Sequence, residues 1–223
     1  MKILPRVHNE RLTDEIINRF KEVEPATIGH YVNYGFMNPT IKSMLDNVKV
    51  TGVAFTVKTA GKDSVMVHKA VSLAGEGDVL VIDRSGDTKH ACVGGVVAYA
   101  ANSRKISCVI IDGPCTDIQE IRKLGMPVFA TGLSPLTTNV LGQSGEINTT
   151  VQCGGVVVEP GDLILADDNG VLVIPKDAPY EELLERAEAS IIREPKTKAL
   201  LDAGHTLSSI GKADELLKEY SLS

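Results

Sequence analysis

The chain of 223 residues carries 23 basic and 29 acidic residues, has a formal net charge of −6 and contains no tryptophan. Its length suits one large domain or two small ones, at about 150 residues per domain. An acidic chain without a basic stripe and with few aromatic residues is not typical of a nucleic-acid-binding surface. No apolar run approaches the ~20 residues of a membrane span, and the N-terminus is too poor in apolar residues for a signal peptide. We therefore expect a cytoplasmic protein that binds neither nucleic acid nor membranes.

Between residues 12 and 131, segments with the apolar spacing of a helix alternate with short apolar runs that are typical of buried strands. Helices are predicted at residues 12–23, 25–31, 64–74, 89–102 and 117–124. Strands are predicted at residues 49–59, 79–82, 108–111 and 127–131. Alternation of this kind is typical of a sheet covered by helices.

The pattern changes in the last third of the chain, where short β segments are predicted at residues 151–158, 163–166 and 171–174. The Asn169-Gly170 pair between two apolar runs is a strong hairpin signal. Helices are predicted at residues 179–203 and 212–220. Because no linker rich in Gly, Ser or Pro separates the two blocks, we predict an α/β fold in one three-layer domain over residues 1–223, with an N-terminal helical segment and a C-terminal helical tail.

The turn after the predicted strand at residues 108–111 carries the main candidate residues. Asp112-Gly113-Pro114 ends the strand, and a helical pattern begins at Asp117. Such a turn lies at the carboxyl edge of the sheet, where open α/β sheets usually bind ligands. Asp112 and Asp117 can hold a hard cation through oxygen, although Asp117 can equally serve only as a helix cap. Cys115 stands in the same turn, where it can be exposed, but the sequence shows no base that would activate it.

Two further segments are expected to converge on this turn. In segment 86–97, Gly94-Gly95 allows the backbone to approach a ligand and to hold a carboxylate through N–H groups, and close helix packing is the alternative. Asp162 and residues 167–170 resemble a fragment of a calcium loop, but they lack the spacing of an EF-hand, which favours a simple hairpin turn. No dinucleotide-binding or P-loop glycine motif is present.

The cysteines and histidines form no pattern typical of a zinc site. The four cysteines include no Cys-x-x-Cys pair, and the five histidines include no closely spaced pair. His30 follows Ala26-Thr27-Ile28-Gly29 and can titrate near neutral pH, although alone it would be interpreted as a surface residue.

Seven short motifs occur in an order that resembles the RraA-like family, which includes 4-hydroxy-4-methyl-2-oxoglutarate aldolases. They are Gly77–Ile82, Gly94-Gly95, Asp112-Gly113 with Asp117, Gly132–Pro135, Cys153–Gly155, Pro160–Asp162 and Ala166–Val171. The resemblance extends from about Ala26 to Gly204 and implies one RraA-like domain, a swivelling β/β/α sandwich that assembles as a homotrimer or homohexamer.

The resemblance also implies an activity. Family aldolases are lyases that use Mg²⁺ or Mn²⁺ to cleave 4-hydroxy-2-oxo acids by a retro-aldol reaction, and many decarboxylate oxaloacetate. The metal binds the carboxylate and carbonyl of a small oxo-acid substrate and stabilises the pyruvate enolate as the C–C bond breaks. A base must also take the proton of the 4-hydroxyl group.

Particular residues take roles from this resemblance. Asp117 matches the family's metal-binding aspartate and is a candidate catalytic residue. Glu194 matches an acidic residue that the family donates across a subunit interface, and His30 stands where aldolase members often carry a glutamate; both are candidate catalytic residues. The loop whose backbone amides hold the pyruvate carboxylate corresponds to Gly94, Gly95, Val96 and Val97.

Thr116 is the main departure from the family. The usual motif is Asp-Gly-x-x-Arg-Asp, and its arginine contacts the pyruvoyl end of the substrate; Thr116 stands in that substrate-binding position. A short hydroxyl side chain cannot form the bidentate contact that a guanidinium forms. Lys89 or Arg84, both near the glycine loop in sequence, would supply the missing charge.

A second hypothesis belongs to a different class of function. The founding member of the family inhibits the endoribonuclease RNase E through protein contact, which implies that a relative can be a non-catalytic regulatory protein. The retained Asp117 favours the enzyme, whereas the missing arginine favours the regulator. An acidic chain can also dock onto a basic partner surface by charge complementarity.

Overall fold

The computed structural model describes residues 1–218 and residue 220. The helices of this part of the chain are α1 Asp14–Lys21, α2 Pro25–Gly29, α3 Val65–Leu73, α4 Gly95–Ser103, α5 Ile118–Leu124, α6 Tyr180–Asp202, α7 Leu207–Ile210 and α8 Ala213–Leu216. The strands are β1 Lys2–Ile3, β2 Lys42–Ser43, β3 Lys49–Lys58, β4 Asp78–Asp83, β5 Cys108–Ile111, β6 Pro114–Cys115, β7 Val128–Ala130, β8 Gly132–Leu133, β9 Glu146–Ile147, β10 Val151–Cys153, β11 Val156–Val158, β12 Leu163–Asp167 and β13 Gly170–Ile174. None of the described helices is long and apolar enough to cross a membrane.

A large mixed sheet forms the centre of the molecule. Its strand order is β1-β9-β3-β4-β5-β7-β2, and β12, paired with β13, joins it along β3. Strands β3, β4, β5 and β7 are parallel to one another, whereas β12 is antiparallel to the first half of β3. The ten-residue β3 therefore connects a parallel half of the sheet to an antiparallel half.

Three apolar cores separate the layers. The first lies between the parallel strands and helices α3, α4 and α5. The second fills the opposite face of these strands, against the β10–β11 hairpin and the β12–β13 pair. The third packs β12 and β13 against α1, α2 and α6. Successive side chains of a strand point to opposite faces, so Ile164 and Ala166 enter the second core while Leu163 and Leu165 enter the third. The predicted α/β sandwich is confirmed: the first and second cores join its helical layer and its two β layers, and the third adds α1, α2 and α6 outside β12 and β13.

Local signals placed most of the elements correctly. Thr13 Oγ1 accepts the N–H of Ile16 at 3.3 Å and caps α1, which lies within the helix predicted at residues 12–23. The hairpin between β12 and β13 turns at Asp168-Asn169. In both cases the local signal in the sequence, a capping side chain or a tight turn, is found in the structure at the predicted element.

The helix predicted at residues 89–102 begins six residues later, at Gly95. The carbonyl groups of Lys89 and His90, which a helix would use for its own hydrogen bonds, accept instead from Ser134 Oγ at 2.6 Å and Arg84 Nη2 at 3.3 Å. The N–H of Ala91 donates to the carbonyl of Leu136 at 2.8 Å. Side-chain and long-range partners therefore hold this segment as a loop.

The segment predicted as one β element at residues 151–158 is a hairpin. Gly154 and Gly155 both have positive φ, 57° and 79°, and form the two-residue turn between β10 and β11. The helix predicted at residues 212–220 is shorter, Ala213–Leu216, and Glu219 lies outside the described residues.

Candidate functional site

The loops that follow β4 and β5 meet at the carboxyl edge of the parallel sheet. The two strands are parallel neighbours, so their loops leave the sheet side by side. The N–H of Thr116 donates to the carbonyl of Val93 at 3.0 Å. The N–H of Gly95 donates to Asp117 Oδ2 at 3.0 Å. Two of the three segments expected to converge are thus brought together.

Asp117 has an uncommon backbone conformation, with φ 54° and ψ 40° in the left-handed region. Its side chain is exposed and makes no hydrogen bond to its own helix, α5, but reaches the first N–H group of α4. A non-glycine residue in this conformation costs about 1–3 kcal/mol. The interpretation of Asp117 as only a cap of α5 is therefore wrong, because its carboxylate is directed to the neighbouring segment.

Gly94 and Gly95 allow α4 and α5 to approach each other closely. A Cβ atom on Gly94 would overlap the carboxylate of Asp117, and a Cβ atom on Gly95 would overlap that of Glu120. Close helix packing, one of the two interpretations of this pair, is confirmed.

The first turn of α4 also provides hydrogen-bond donors beside Asp117. The N–H groups of Val96 and Val97 have no hydrogen-bond partner among the described residues. The first N–H groups of a helix lack an intrahelical acceptor and carry partial positive charge, which favours a carboxylate ligand. Binding of a ligand carboxylate by backbone N–H groups, the other interpretation of this loop, is therefore compatible with the close helix packing.

The oxygen donors near this point are few. Asp117 and Glu120 flank the start of α4, whereas Asp112 Oδ2 accepts the N–H of Gly154 at 3.1 Å and is directed to the β10–β11 turn. Within the described part of the chain, no group of three or more His, Cys, Asp or Glu side chains is placed to bind a metal ion. One or two carboxylates suit Mg²⁺, which usually keeps several waters and binds substrate oxygens as well.

Arg84 and Lys89, the two candidate sources of positive charge, differ in exposure. Arg84 is fully buried, and its Nη2 donates to the carbonyl of Gly61 at 2.7 Å. Its Nε and Nη1 have no hydrogen-bond partner among the described residues. A Cβ atom on Gly113 would lie 2.9 Å from Arg84 Cγ, so the guanidinium stem supports the Asp112–Asp117 turn from inside. Lys89 is exposed, so only Lys89 can reach a ligand in this arrangement.

A carboxylate–histidine pair that the sequence did not reveal occupies the same loop. Asp87 Oδ2 lies 2.7 Å from His90 Nδ1 and 3.3 Å from Arg84 Nη2. Burial alone would raise the pKa of Asp87, but the N–H groups of Lys89 and His90, with the His90 ring and the Arg84 charge, hold that pKa below its usual range. The spacing Asp-x-x-His in a glycine-led loop was the only signal available for this pair.

His30 and Glu194 lie together, but not with Asp117. Both line a shallow depression between α2 and α6, on the outer side of the third core. A hydrogen bond from Lys198, at 2.5 Å, lowers the pKa of Glu194. Asp117 lies at the edge of the first core, so a single chain does not bring these three candidate residues into one site.

The acidic cluster at residues 162–170 does not join the site. Asp167 pairs with Lys49 at the amino end of β3, opposite the carboxyl edge where Asp117 lies. Asp168 accepts the N–H groups of Asn47 and Val48, at 2.9 and 3.0 Å. The expected convergence of this segment is wrong, and the hairpin-turn interpretation is confirmed, because these carboxylates satisfy nearby backbone N–H groups.

Cys115 is buried, not exposed. Burial raises the pKa of the Cys115 thiol to about 11, which leaves it protonated at neutral pH. Cys92 is likewise buried, and burial raises the pKa of its thiol to about 11. Neither thiol is suited to nucleophilic chemistry in this state.

Comparison with known proteins places the chain in a family. A family model described as RraA-like, Aldolase/RraA, matches residues 18–173. The chain belongs to the RraA-like family. A relative from Halalkalibacterium halodurans named "Putative 4-hydroxy-4-methyl-2-oxoglutarate aldolase" is 34% identical over 190 residues, which cover 84% of this chain and 90% of the relative.

Solved structures of RraA-like proteins share the fold. The structure of RraAS2 from Streptomyces coelicolor, whose title calls it an unusual member of the RNase ES inhibitor RraA protein family, is 25% identical with a TM-score of 0.73 and covers 85% of this chain and 98% of its own. An uncharacterized protein from Pseudomonas syringae, 20% identical, has a TM-score of 0.77 and covers 96% of this chain and 97% of its own. At that identity the second comparison concerns the fold alone.

Proposed function

We propose that this protein is a divalent-metal-dependent lyase that acts on small 2-oxo acids, by retro-aldol cleavage of 4-hydroxy-2-oxo acids, by decarboxylation of oxaloacetate, or by both. One observation carries the proposal. Asp117 has a strained left-handed backbone conformation at the carboxyl edge of the sheet, and its carboxylate lies beside two N–H groups of α4 that no described residue accepts. Strained residues of this kind cluster at functional sites. The aldolase name of the 34%-identical relative agrees with it.

Asp117 would hold Mg²⁺ or Mn²⁺, with Glu120 as the neighbouring oxygen donor. The donor set fits such a cation, since both are hard carboxylate oxygens and both lie at the protein surface, where water and substrate can complete the coordination. When bound, the cation supplies a Lewis acid for the carboxylate and carbonyl oxygens of the 2-oxo acid.

The chain's own residues would orient the substrate. The N–H groups of Val96 and Val97 would hold the carboxylate of the substrate, and Gly94 and Gly95 let the start of α4 lie against the side chains of Asp117 and Glu120. The Thr116 hydroxyl lies 3.5 Å from Asp117 Oδ1 and would contact the oxo acid at one point only. The exposed ammonium of Lys89 would add the positive charge that a guanidinium supplies in the family motif.

A second copy of the chain would complete this site. Val96 and Tyr99, neighbours on the outer face of α4, are 80% and 64% exposed, and adjoining exposed apolar side chains mark interaction surfaces when they form a patch. His30 and Glu194 are exposed on another face of the same chain. Assembly as a homotrimer or homohexamer would bring this face against the site of a neighbour. Light scattering of the purified protein measures the mass of the assembly and so distinguishes a monomer, a trimer and a hexamer.

A regulatory protein is the second candidate, favoured by Thr116. The missing guanidinium removes a bidentate contact that small carboxylates use, and the solved relative from Streptomyces coelicolor is titled as a member of an RNase inhibitor family. In this case the net charge of −6 would serve to dock a basic partner.

Pyruvate release tests the proposal. The substrates are oxaloacetate and 4-hydroxy-4-methyl-2-oxoglutarate, each with Mg²⁺, with Mn²⁺ and with a chelator. We expect release that requires the metal, together with a rise in melting temperature on metal addition, because a ligand that binds only the folded state stabilises it. Absence of both effects would overturn the lyase proposal and favour the regulatory one.

Replacement of Thr116 by arginine is expected to lower the KM for 4-hydroxy-4-methyl-2-oxoglutarate roughly tenfold, since a charge-assisted hydrogen bond contributes about 1.5–3 kcal/mol. The measurement is steady-state kinetics with Mg²⁺. Thr150, an exposed threonine outside the site, provides the matched control as T150R. An unchanged KM in the Thr116 variant, with unchanged fold, would mean that this position does not face the substrate.

A further inference from the structure

The loop between β4 and α4 holds a histidine whose ring is fixed by a carboxylate. Asp87 is itself fixed, since Oδ1 accepts two backbone N–H groups and Oδ2 lies 2.7 Å from His90 Nδ1. The side chains of Asp87 and His90 remain 13% and 16% exposed, while that of Arg84 behind them is fully enclosed. Among the described residues, no other histidine ring is hydrogen-bonded to a carboxylate.

This contact determines which nitrogen can accept a proton. Asp87 is an acceptor, so the neutral imidazole carries its hydrogen on Nδ1 and has a lone pair on Nε2. No described residue bonds Nε2, and it is not among the enclosed polar atoms. A carboxylate on Nδ1 also stabilises the imidazolium that forms when Nε2 takes a proton.

The pair lies beside the proposed substrate site. A Cβ atom on Gly113 would lie 3.1 Å from the carbonyl oxygen of Asp87, so the Asp87 loop touches the start of the turn that carries Asp117. Val93, three residues after His90, is hydrogen-bonded to Thr116. Three residues of extended chain span about 10 Å, a length comparable to that of a small dicarboxylate. A substrate held at α4 can therefore extend toward His90.

We propose that His90, held by Asp87, is the catalytic base that takes the proton of the 4-hydroxyl group in retro-aldol cleavage; the inference rests on the proposed lyase function. As the proton moves to Nε2, the O–H electron pair forms the new carbonyl and the C3–C4 bond breaks. Its electron pair passes to C3 to give the enolate of pyruvate, which then takes a proton at C3 from water, and the imidazolium of His90 returns its proton to the solvent. Asp87 is a positioning residue in this step.

Decarboxylation of oxaloacetate provides an internal control, because that reaction breaks a bond to a carboxylate and removes no hydroxyl proton. The test variant is His90→Asn, whose amide nitrogen can still donate to Asp87 but which has no Nε2. We expect kcat for cleavage of 4-hydroxy-4-methyl-2-oxoglutarate to fall about 100-fold or more. Oxaloacetate decarboxylation should stay within threefold of the original protein. His68→Asn, at an exposed histidine of α3, is the matched control for both reactions.

The pH profile separates a base from a structural residue. The charged side chains that contact His90 are Asp87 and Arg84, Lys89 is its exposed neighbour in the chain, and the loop 131–139 that contacts this segment carries no charged side chain. For the original protein, kcat/KM for cleavage should fall at acidic pH as Nε2 becomes protonated, and this limb should be absent in His90→Asn. ¹⁵N NMR of the neutral imidazole should find the Nδ1–H tautomer, and the Nε2–H tautomer would overturn the assignment.

The outcomes distinguish the two proposals. Equal loss of both reactions in a folded His90→Asn protein would overturn the base and assign His90 a structural role. Full retention of cleavage would overturn it as well. If the original protein releases pyruvate from neither substrate, the proposed lyase function is overturned, and the proposed role of His90 is overturned with it.

Discussion

Replacement of Asp117 by asparagine is expected to lower metal-dependent pyruvate release by about two to three orders of magnitude, the usual effect of losing one group that stabilises developing charge. Asparagine has nearly the same shape and tolerates the left-handed conformation, so the loop should keep its structure. The neutral amide, however, removes the charge that attracts a hard cation. The rise in melting temperature with Mg²⁺ should disappear together with the activity.

A second variant separates the role of the side chain from that of the backbone. Asp117→Gly also removes the carboxylate, but glycine adopts the φ of 54° without strain. Its free energy of unfolding should stay within about 1 kcal/mol of the original value, since Asp117 is exposed. Asp202→Asn, at an exposed position near the end of α6, is the control that removes the same charge elsewhere. An Asp117→Asn protein that retains both the rate and the response to Mg²⁺ would exclude Asp117 as a metal ligand.

Replacement of Asp63 by asparagine is expected to lower the free energy of unfolding by roughly 3 kcal/mol, measured by urea denaturation. Asp63 is buried, and its carboxylate accepts backbone N–H groups from both α3 and the loop that precedes β9. The donors and their distances are Val65 2.9 Å, Leu141 3.1 Å, Gly142 3.3 Å, Gln143 2.6 Å and Ser144 3.3 Å. An amide would place an N–H group against some of these donors and leave them without an acceptor.

The effect of Asp63 should depend on pH in a defined direction. Burial alone would raise the pKa of Asp63, but the hydrogen bonds from these N–H groups hold it well below its usual range. The unfolded chain has the ordinary pKa of about 3.9, so the folded state binds fewer protons than the unfolded state in the acidic range. The contribution of Asp63 is complete above about pH 4 and is lost progressively as the pH falls below that value.

The stability difference between the original protein and Asp63→Asn should therefore be largest near neutral pH and should narrow toward pH 3. Asp46→Asn, an exposed aspartate without a hydrogen bond in the described residues, should show no such difference. A constant difference between pH 3 and pH 7 would contradict a charged Asp63 as the cause.

Parts of the site were predictable because their signals are local in sequence. The strand at residues 108–111 and the helix that follows Asp117 were predicted from apolar spacing, and the glycine turn between them indicated the carboxyl edge of a sheet. The family resemblance then predicted that Asp117 and the Gly94–Val97 loop belong to one site. The hydrogen bond between Asp117 and Gly95 shows that the two segments are in contact. The activity and the metal remain proposals.

Other features depend on contacts between residues distant in sequence. Arg84 looked like a source of charge because it is near the loop in sequence, but folding encloses its guanidinium beneath Gly113. The Asp87–His90 pair was missed because apolar spacing predicted a helix at residues 89–102, whereas side chains distant in sequence or buried, such as Ser134, bond the carbonyl groups that this helix would need. The sequence does not reveal such partners.

By itself, the sequence determined the order of the longer helices and strands, the hairpin between β12 and β13 and the position of the main turn, because period and turn chemistry are local properties. Only the tertiary structure decided that Asp112 faces Gly154 while Asp117 faces Gly95, and that residues 162–170 lie at the opposite end of the sheet. Only the fold decided that His30 and Glu194 belong to another layer. The physical reason is that a carboxylate or imidazole binds whichever partner the packing of the layers brings within hydrogen-bond distance, and sequence spacing does not specify that partner.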